Sequence, residues 1–189
     1  LKKYKGVGKF IDLNYPFLLV SQHPVTTEFG NGRWQIEQTL SALRSLAMPT
    51  IILWPNADAG SDEVSKGIRS FREKYNAEWL HAFINLPTDI YIHLMNTTSC
   101  LIGNSSSGIR EGSFIGTPVV NIGTRQNQRI HGGNVIHVGY DKNDIESAVN
   151  KQIKNGKYKS SDLYGDGNAG NKIADILLKA KVSIQKINS

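Results

Sequence analysis

Between Cys100 and Arg125 the chain runs CLIGNSSSGIREGSFIGTPVVNIGTR, and these residue types suit one kind of chemistry. A short apolar run, Cys100-Leu101-Ile102, gives way to Gly103-Asn104-Ser105-Ser106-Ser107-Gly108, and apolar residues at helical spacing follow around Arg110 and Glu111. This pattern predicts a strand, a hydroxyl-rich turn and a helix beginning near Gly108. Such a junction aims backbone N–H groups, the positive end of a helix dipole and serine hydroxyls at one point above the strand. The anion that suits it best is a phosphate. Capping of the helix by Ser105 or Ser106 explains the same residues, although three serines between two glycines exceed what a cap needs. Glu111 fits either a capping box with the Ser107 or Gly108 backbone or the two hydroxyls of a ribose. Arg125 follows the next strand directly, where a guanidinium matches phosphate geometry, as well as being an ordinary place for a surface arginine.

The elements that must position these groups alternate along the chain. Pro16 to Val20, Thr50 to Trp54, Leu80 to Leu86, Cys100 to Ile102, Pro118 to Ile122 and Asn134 to Val138 form short apolar runs, the pattern of strands buried on both faces. Helical spacing occupies Trp34 to Met48, a stretch after Ser61, Asp89 to Asn96, the segment from Asp141 or Asn143 to Lys154, and a last segment after Asn168. The polar lead before Pro16 carries no regular pattern. Strands alternating with helices predict an α/β fold, a Rossmann-like parallel sheet with helices on both faces. Ligands of such sheets bind at the carboxyl ends of the strands. That rule gathers His23, Asn56, Leu86, the serine turn and Arg125 onto one edge. His23, before Pro24, is held extended as its strand ends. Taken singly, a histidine there is more often structural than catalytic, and turn chemistry explains Asn56 and Asp58 cheaply.

Composition narrows the classes. With 189 residues, 39% of them hydrophobic, the chain is the size of one domain with a real core. It has no apolar run of about 20 residues and no signal-like start, so a soluble, cytoplasmic protein without a membrane partner is expected. The absence of an initiating Met hints at a piece of a longer chain. The single cysteine, Cys100, lies within an apolar run, which leaves no disulfide framework or Cys-based metal site. The net charge of +6 suits an anionic partner, yet the lysines are scattered, from Lys2, Lys3, Lys5 and Lys9 to Lys151, Lys154, Lys157 and Lys159. Without an Arg-aromatic signature they read as solvated faces, and no nucleic-acid partner is expected. His81, His93, His131 and His137 follow no site pattern, Trp34, Trp54 and Trp79 read as core, and Tyr164 to Asn168 reads as a turn with a helix cap. No GxxxxGK[ST] loop, EF-hand or GxSxG elbow is present.

Five blocks taken together carry a resemblance: SQHPVTTE at 21 to 28, WPNADAGS at 54 to 61, IGNSSSGIREGSFIGTPVVNIGTRQ at 102 to 126, GGNVIHV at 132 to 138 and YGDGNA at 164 to 169. In this order they resemble the UDP-N-acetylglucosamine 2-epimerase family, especially its hydrolysing branch, which makes N-acetylmannosamine for sialic-acid synthesis. The resemblance implies a glycosyltransferase-B architecture of two Rossmann-like domains, of which residues 1–189 are the carboxyl-terminal, UDP-binding one. It implies contacts to UDP from His23, Asn56, Leu86 (main chain to uracil), Ser105 and Ser106 (diphosphate), Glu111 (ribose) and Arg125 (phosphate). His23 and Arg125 would also assist catalysis, and no cofactor or metal is needed. The chemistry implied is loss of the C2 proton with elimination of UDP, then hydration of the glycal. The carboxylate acid/base groups belong to the other domain, so this polypeptide alone is expected to bind UDP and turn over nothing. The full-length protein is expected to be a homo-oligomer. Alternatives are the same reaction on UDP-2,4-diacetamido-trideoxyglucose, a non-hydrolysing epimerase giving UDP-N-acetylmannosamine, a glycosyltransferase, or a non-catalytic UDP-sugar-binding module.

Overall fold

A computed structural model describes residues 1 and 3–180, so Lys2 lies outside the described residues. The strands are β1 (Gly6–Val7), β2 (Leu18–Ser21), β3 (Thr50–Leu53), β4 (Leu80–Phe83), β5 (Cys100–Gly103), β6 (Val119–Ile122) and β7 (Val135–Val138). The helices are α1 (Gly32–Leu46), α2 (Ser61–Tyr75), α3 (Thr88–Thr97), α4 (Ser106–Ile109), α5 (Glu111–Ile115), α6 (Lys142–Asn155) and α7 (Ala169–Lys179). They form one sheet in the order β1-β4-β3-β2-β5-β6-β7, parallel from β4 to β7. Strand order reverses between β2 and β5, which is the point where doubly wound sheets open a crevice. The expected α/β sheet with helices on both faces is therefore present.

Alternation along the strands divides the core into two layers, as a pleated strand requires. Leu18, Val20, Ile52, Ile102 and Val120 meet Ile36, Leu40, Leu43 of α1, Ile68 and Phe71 of α2, and Ile145 and Val149 of α6. Phe17, Leu19, Ile51, Leu101 and Val119 face the other way, onto Leu94 and Met95 of α3 and Ile109 of α4. The central strands β2, β5 and β6 are buried along their whole length.

Four departures from the sequence reading have local causes. The lead is not wholly irregular, because Gly6 and Val7 add an antiparallel edge strand opposite Phe83 and Ala82. Strand β4 stops at Phe83 rather than reaching Leu86. The last ladder bond, from Trp54 N–H to Phe83 O (2.8 Å), is made as β3 reaches Pro55. Trp34, expected in the core, is 52% exposed and lies edge-on to Tyr140 at 5.8 Å. The helix expected near Gly108 begins at Ser106 and breaks at Arg110 into two short helices.

Candidate functional site

The crevice between β2 and β5 is closed at its floor by one side chain. Asn104, 1% exposed, accepts from the His23 backbone N–H through Oδ1 at 2.7 Å and donates from Nδ2 to the His23 carbonyl at 2.8 Å. It thus continues the β2–β5 ladder by one side-chain rung. Its own carbonyl accepts from Gln126 Nε2 at 2.8 Å and from Arg125 at 3.4 Å, which fastens the loop after β6 to the same point. Gly103 makes this junction possible. Its φ is +132°, and a Cβ there would stand 2.2 Å from the Ser21 carbonyl, so only glycine lets the two strand ends approach.

His23 joins the next strand as well. The Asn56 backbone N–H donates to His23 Nδ1 at 3.3 Å, and the other ring nitrogen lies 3.3 Å from Ser21 Oγ. An amide N–H can only donate, so Nδ1 is the unprotonated nitrogen and the proton sits on Nε2. Burial lowers the His23 pKa, and the nearby Arg125 guanidinium lowers it further against the opposing pull of Asp58. The imidazole is held neutral.

The serine turn begins α4 with Ser105 as its N-cap, and Ser105 Oγ accepts from the Ser107 N–H at 3.4 Å. The capping reading is therefore realised for Ser105, which leaves its hydroxyl proton to be placed elsewhere. Ser105 Oγ and Ser107 Oγ are 2.8 Å apart, and Ser107 Oγ is 2.7 Å from the Tyr91 hydroxyl of α3. Gly108, under the turn, would press a Cβ to 3.0 Å from Val119 Cγ1 and 3.1 Å from Leu101 Cδ2. Its small size lets α4 sit close over β5 and β6.

Arg125 pairs with Asp58 at 3.5 Å, and both line a cavity of about 340 Å³ with Pro24, Val25 and Thr124. The structure thus brings His23, Asn56, Ser105 and Arg125 around Asn104. Glu111 lies one turn further on, at the start of α5, and lines a separate cavity of about 290 Å³ with Arg110, Phe114 and Tyr164. Leu86 is buried in the loop between β4 and α3, and its N–H is taken by Asn85 Oδ1 at 2.9 Å. Among the described residues no cluster of three His, Cys, Asp or Glu could hold a metal. Nor is any helix there long and apolar enough to cross a membrane.

Three participants escaped the sequence reading: Asn104, Tyr91 and Glu28. Glu28 accepts from Thr124, from Tyr140 at 2.7 Å and from Gln35 at 2.6 Å, and so anchors the loop that carries Arg125. Burial disfavours its charge, but these three hydrogen bonds outweigh that and hold its pKa below the ordinary value. The signal for Glu28 was its place at the end of the SQHPVTTE block.

The model of a family described as UDP-N-acetylglucosamine 2-epimerase matches residues 2–178. A Neisseria meningitidis protein named UDP-N-acetylglucosamine 2-epimerase is 30% identical over 168 residues, covering 88% of this chain and 44% of that protein. A Campylobacter jejuni protein named GDP/UDP-N,N'-diacetylbacillosamine 2-epimerase (hydrolyzing) is 33% identical over 140 residues, 74% of this chain and 36% of that one. The chain therefore spans less than half the length of these curated relatives. Among solved structures, the N. meningitidis UDP-GlcNAc 2-epimerase bound to UDP-GlcNAc superposes with a TM-score of 0.70 at 19% identity, over 90% of this chain and 46% of that one. The Methanocaldococcus jannaschii UDP-GlcNAc 2-epimerase in complex with UDP-GlcNAc and UDP gives 0.68 at 16% identity, over 87% and 45%. These two likenesses establish the shared fold.

Proposed function

The chain belongs to the UDP-N-acetylglucosamine 2-epimerase family, and from that premise we propose that residues 1–189 are the carboxyl-terminal, UDP-holding domain of a hydrolysing member. The reaction is UDP-N-acetylglucosamine plus water giving N-acetylmannosamine and UDP. A base removes the C2 proton, the C1–O bond breaks and UDP departs with the electron pair, leaving a C1=C2 glycal. Water then adds, its oxygen to C1 and a proton to C2 from the opposite face. The groups that move these protons lie on the missing domain, so this domain serves the leaving group.

One observation carries the reading: a serine-rich helix start, an arginine and a neutral histidine converge at the crevice where strand order reverses. Ser105 and Ser106, at the start of α4, take the diphosphate, and Arg125 offsets the charge that grows on it as the C1–O bond breaks. His23, protonated on Nε2, acts toward the leaving group as a donor. Glu111 takes the ribose hydroxyls, Asn56 adds a polar contact at the neighbouring strand end, and the Leu86 carbonyl takes the uracil. The cytoplasm is the setting this reading implies.

A second reading is favoured by the names of two relatives. The C. jejuni protein, and a Legionella pneumophila protein 28% identical over 170 residues and named UDP-N,N'-diacetylbacillosamine 2-epimerase (hydrolyzing), are both named as hydrolysing 2-epimerases of a nucleotide-linked diacetylbacillosamine. Both readings predict the same UDP site and differ in the sugar. Incubating the full-length protein with each UDP-sugar and following the products by NMR separates them. Free UDP with a C2-inverted sugar is the expected result, and the substrate consumed names the sugar. Inversion with UDP still attached would show a non-hydrolysing enzyme, and no change with any UDP-sugar would refute the enzyme reading.

A further inference from the structure

Arg125 stands in a loop that is fastened on both sides of it. On the far side, Gln126 is tied to the Asn104 carbonyl at 2.8 Å. On the near side the fastening is a single carboxylate. Glu28 Oε1 accepts from the Thr124 hydroxyl, and Oε2 accepts from the Tyr140 phenol at 2.7 Å and from Gln35 Nε2 at 2.6 Å. Its lowered pKa keeps Glu28 ionised, and an ionised carboxylate only accepts, so Thr124 and Tyr140 both donate. Burial, and then the bond to Glu28 and its charge, raise the Tyr140 pKa, so the phenol keeps its proton. The same ring abuts Gly123, whose φ is +72° and where a Cβ would lie 2.1 Å from the Tyr140 oxygen. Glu28 itself ends the 3-10 turn Thr26–Glu28, which directly follows Pro24 and Val25. Residues Pro24 to Thr27 line the cavity of about 340 Å³ together with Thr124 and Arg125, so Glu28 bonds together two of the segments that bound it.

We infer that Glu28 is a positioning residue for the diphosphate: through its bond to Thr124 it fixes the Arg125 loop against the 24–27 segment, so the guanidinium meets the anion already ordered. The inference deepens the UDP reading, rests on it, and names a group that reading does not use. Its sign separates it from plain electrostatics. A negative charge near an anion site opposes binding, so Coulomb repulsion alone makes removal of Glu28 tighten UDP. Positioning makes the same removal weaken UDP, because ordering the loop and the Arg125 side chain is then drawn from the binding free energy. The three donors on the carboxylate offset its charge toward the cavity, which diminishes the repulsion and leaves the ordering effect dominant.

The test measures UDP binding by calorimetry for the chain and its Glu28→Ala, Thr124→Val, Thr124→Ser, Arg125→Ala and Glu28→Ala/Arg125→Ala variants, with thermal melts to confirm folding. Backbone ¹⁵N relaxation on the ligand-free chain reads the order of Thr124 and Arg125. Thr124→Val keeps the shape and removes only the hydroxyl, which serves should Glu28→Ala fold poorly, and Thr124→Ser restores that hydroxyl. Glu28→Ala and Thr124→Val are each expected to weaken binding by about tenfold, the factor one hydrogen bond commands, with Thr124→Ser close to wild type. The double variant is expected to lose no more than Arg125→Ala alone, a non-additivity that general loosening would not produce. In Glu28→Ala the order parameters of Thr124 and Arg125 are expected to fall from about 0.85 to below about 0.6. Unchanged or tighter UDP binding in Glu28→Ala overturns the inference and leaves the UDP site standing, as do losses that add in full to Arg125→Ala or a serine variant as weak as the valine one. Unaltered order in Glu28→Ala overturns it whatever the ligand, and absence of UDP binding by the wild type refutes the UDP reading and this inference with it.

Discussion

Replacing Asn104 by Ala removes the one side chain that joins the ends of β2 and β5. Two hydrogen bonds disappear, at 2.7 and 2.8 Å, and the His23 N–H and carbonyl are left without those partners in a buried setting. A buried backbone group stripped of its partner costs about 1–3 kcal/mol, so the two together cost about 2–6 kcal/mol, with the lower half expected where water can enter from the crevice. A loss near 3 kcal/mol corresponds to a fall in Tm of about 6–12 °C for a fold of this size. Urea unfolding followed by circular dichroism measures it, read from the midpoint at constant m. Asn104→Asp sharpens the test. The introduced carboxylate accepts from the His23 N–H but places a negative oxygen where a carbonyl needs a donor. Burial and that carbonyl raise its pKa, so its deficit relative to wild type is greatest at neutral pH and shrinks as the pH is lowered and the carboxyl takes up a proton. Asn104→Ala within about 0.5 kcal/mol of wild type, the range of an ordinary surface change, would refute the bridging role.

Arg125→Ala is expected to weaken UDP binding by about 1.5–3 kcal/mol, the worth of a charge-assisted phosphate contact; unchanged affinity in calorimetry contradicts its role. Gly103→Ala combines a left-handed backbone with a Cβ 2.2 Å from a carbonyl, so it is expected to unfold the crevice more severely than Gly108→Ala, which meets side-chain methyls at 3.0–3.1 Å. The comparison is made by melting both. His23, whose folded pKa is lowered, contributes stability that is present above its unfolded pKa near 6.5 and lost as pH falls through the folded value. Its imidazole signals should therefore remain those of the neutral ring at pH 6.5, and half-protonation there contradicts the buried, arginine-flanked setting. Glu28, also lowered, gives stability present above about 4.5 and lost on acidification below it. Glu28→Gln should remove that acid-side dependence, which pH-dependent melts would show.

The sheet was legible because its strands are apolar along their length, which only a sheet covered on both sides explains, and the strand-end rule then placed His23, Asn56 and Arg125 on one edge. What escaped was long-range or ambiguous. Asn104 read as one more turn residue, because its bond to His23 spans 81 positions and leaves no spacing signal. Tyr91 read as part of an apolar helix face, and its ring does pack against the lower core; only the hydroxyl at its tip joins the serines. A two-residue edge strand containing glycine has no alternation to detect. The last helix forms where its spacing placed it, but Ile173, Ile176, Leu177 and Leu178 are 57–85% exposed, so periodicity gave the helix without its partner.

UDP is predicted to bind at the strand ends around Asn104. Titrating UDP into ¹⁵N-labelled protein and mapping the backbone amide shifts tests it most directly. The largest changes are predicted at Asn56, Ser105, Ser106, Ser107 and Arg125, with Glu111 and Leu86 moving at the ribose and uracil ends. Shifts confined elsewhere, for instance to the larger cavity of about 680 Å³ lined by Trp54, Arg69 and Arg72, or no shifts at millimolar UDP, would contradict it.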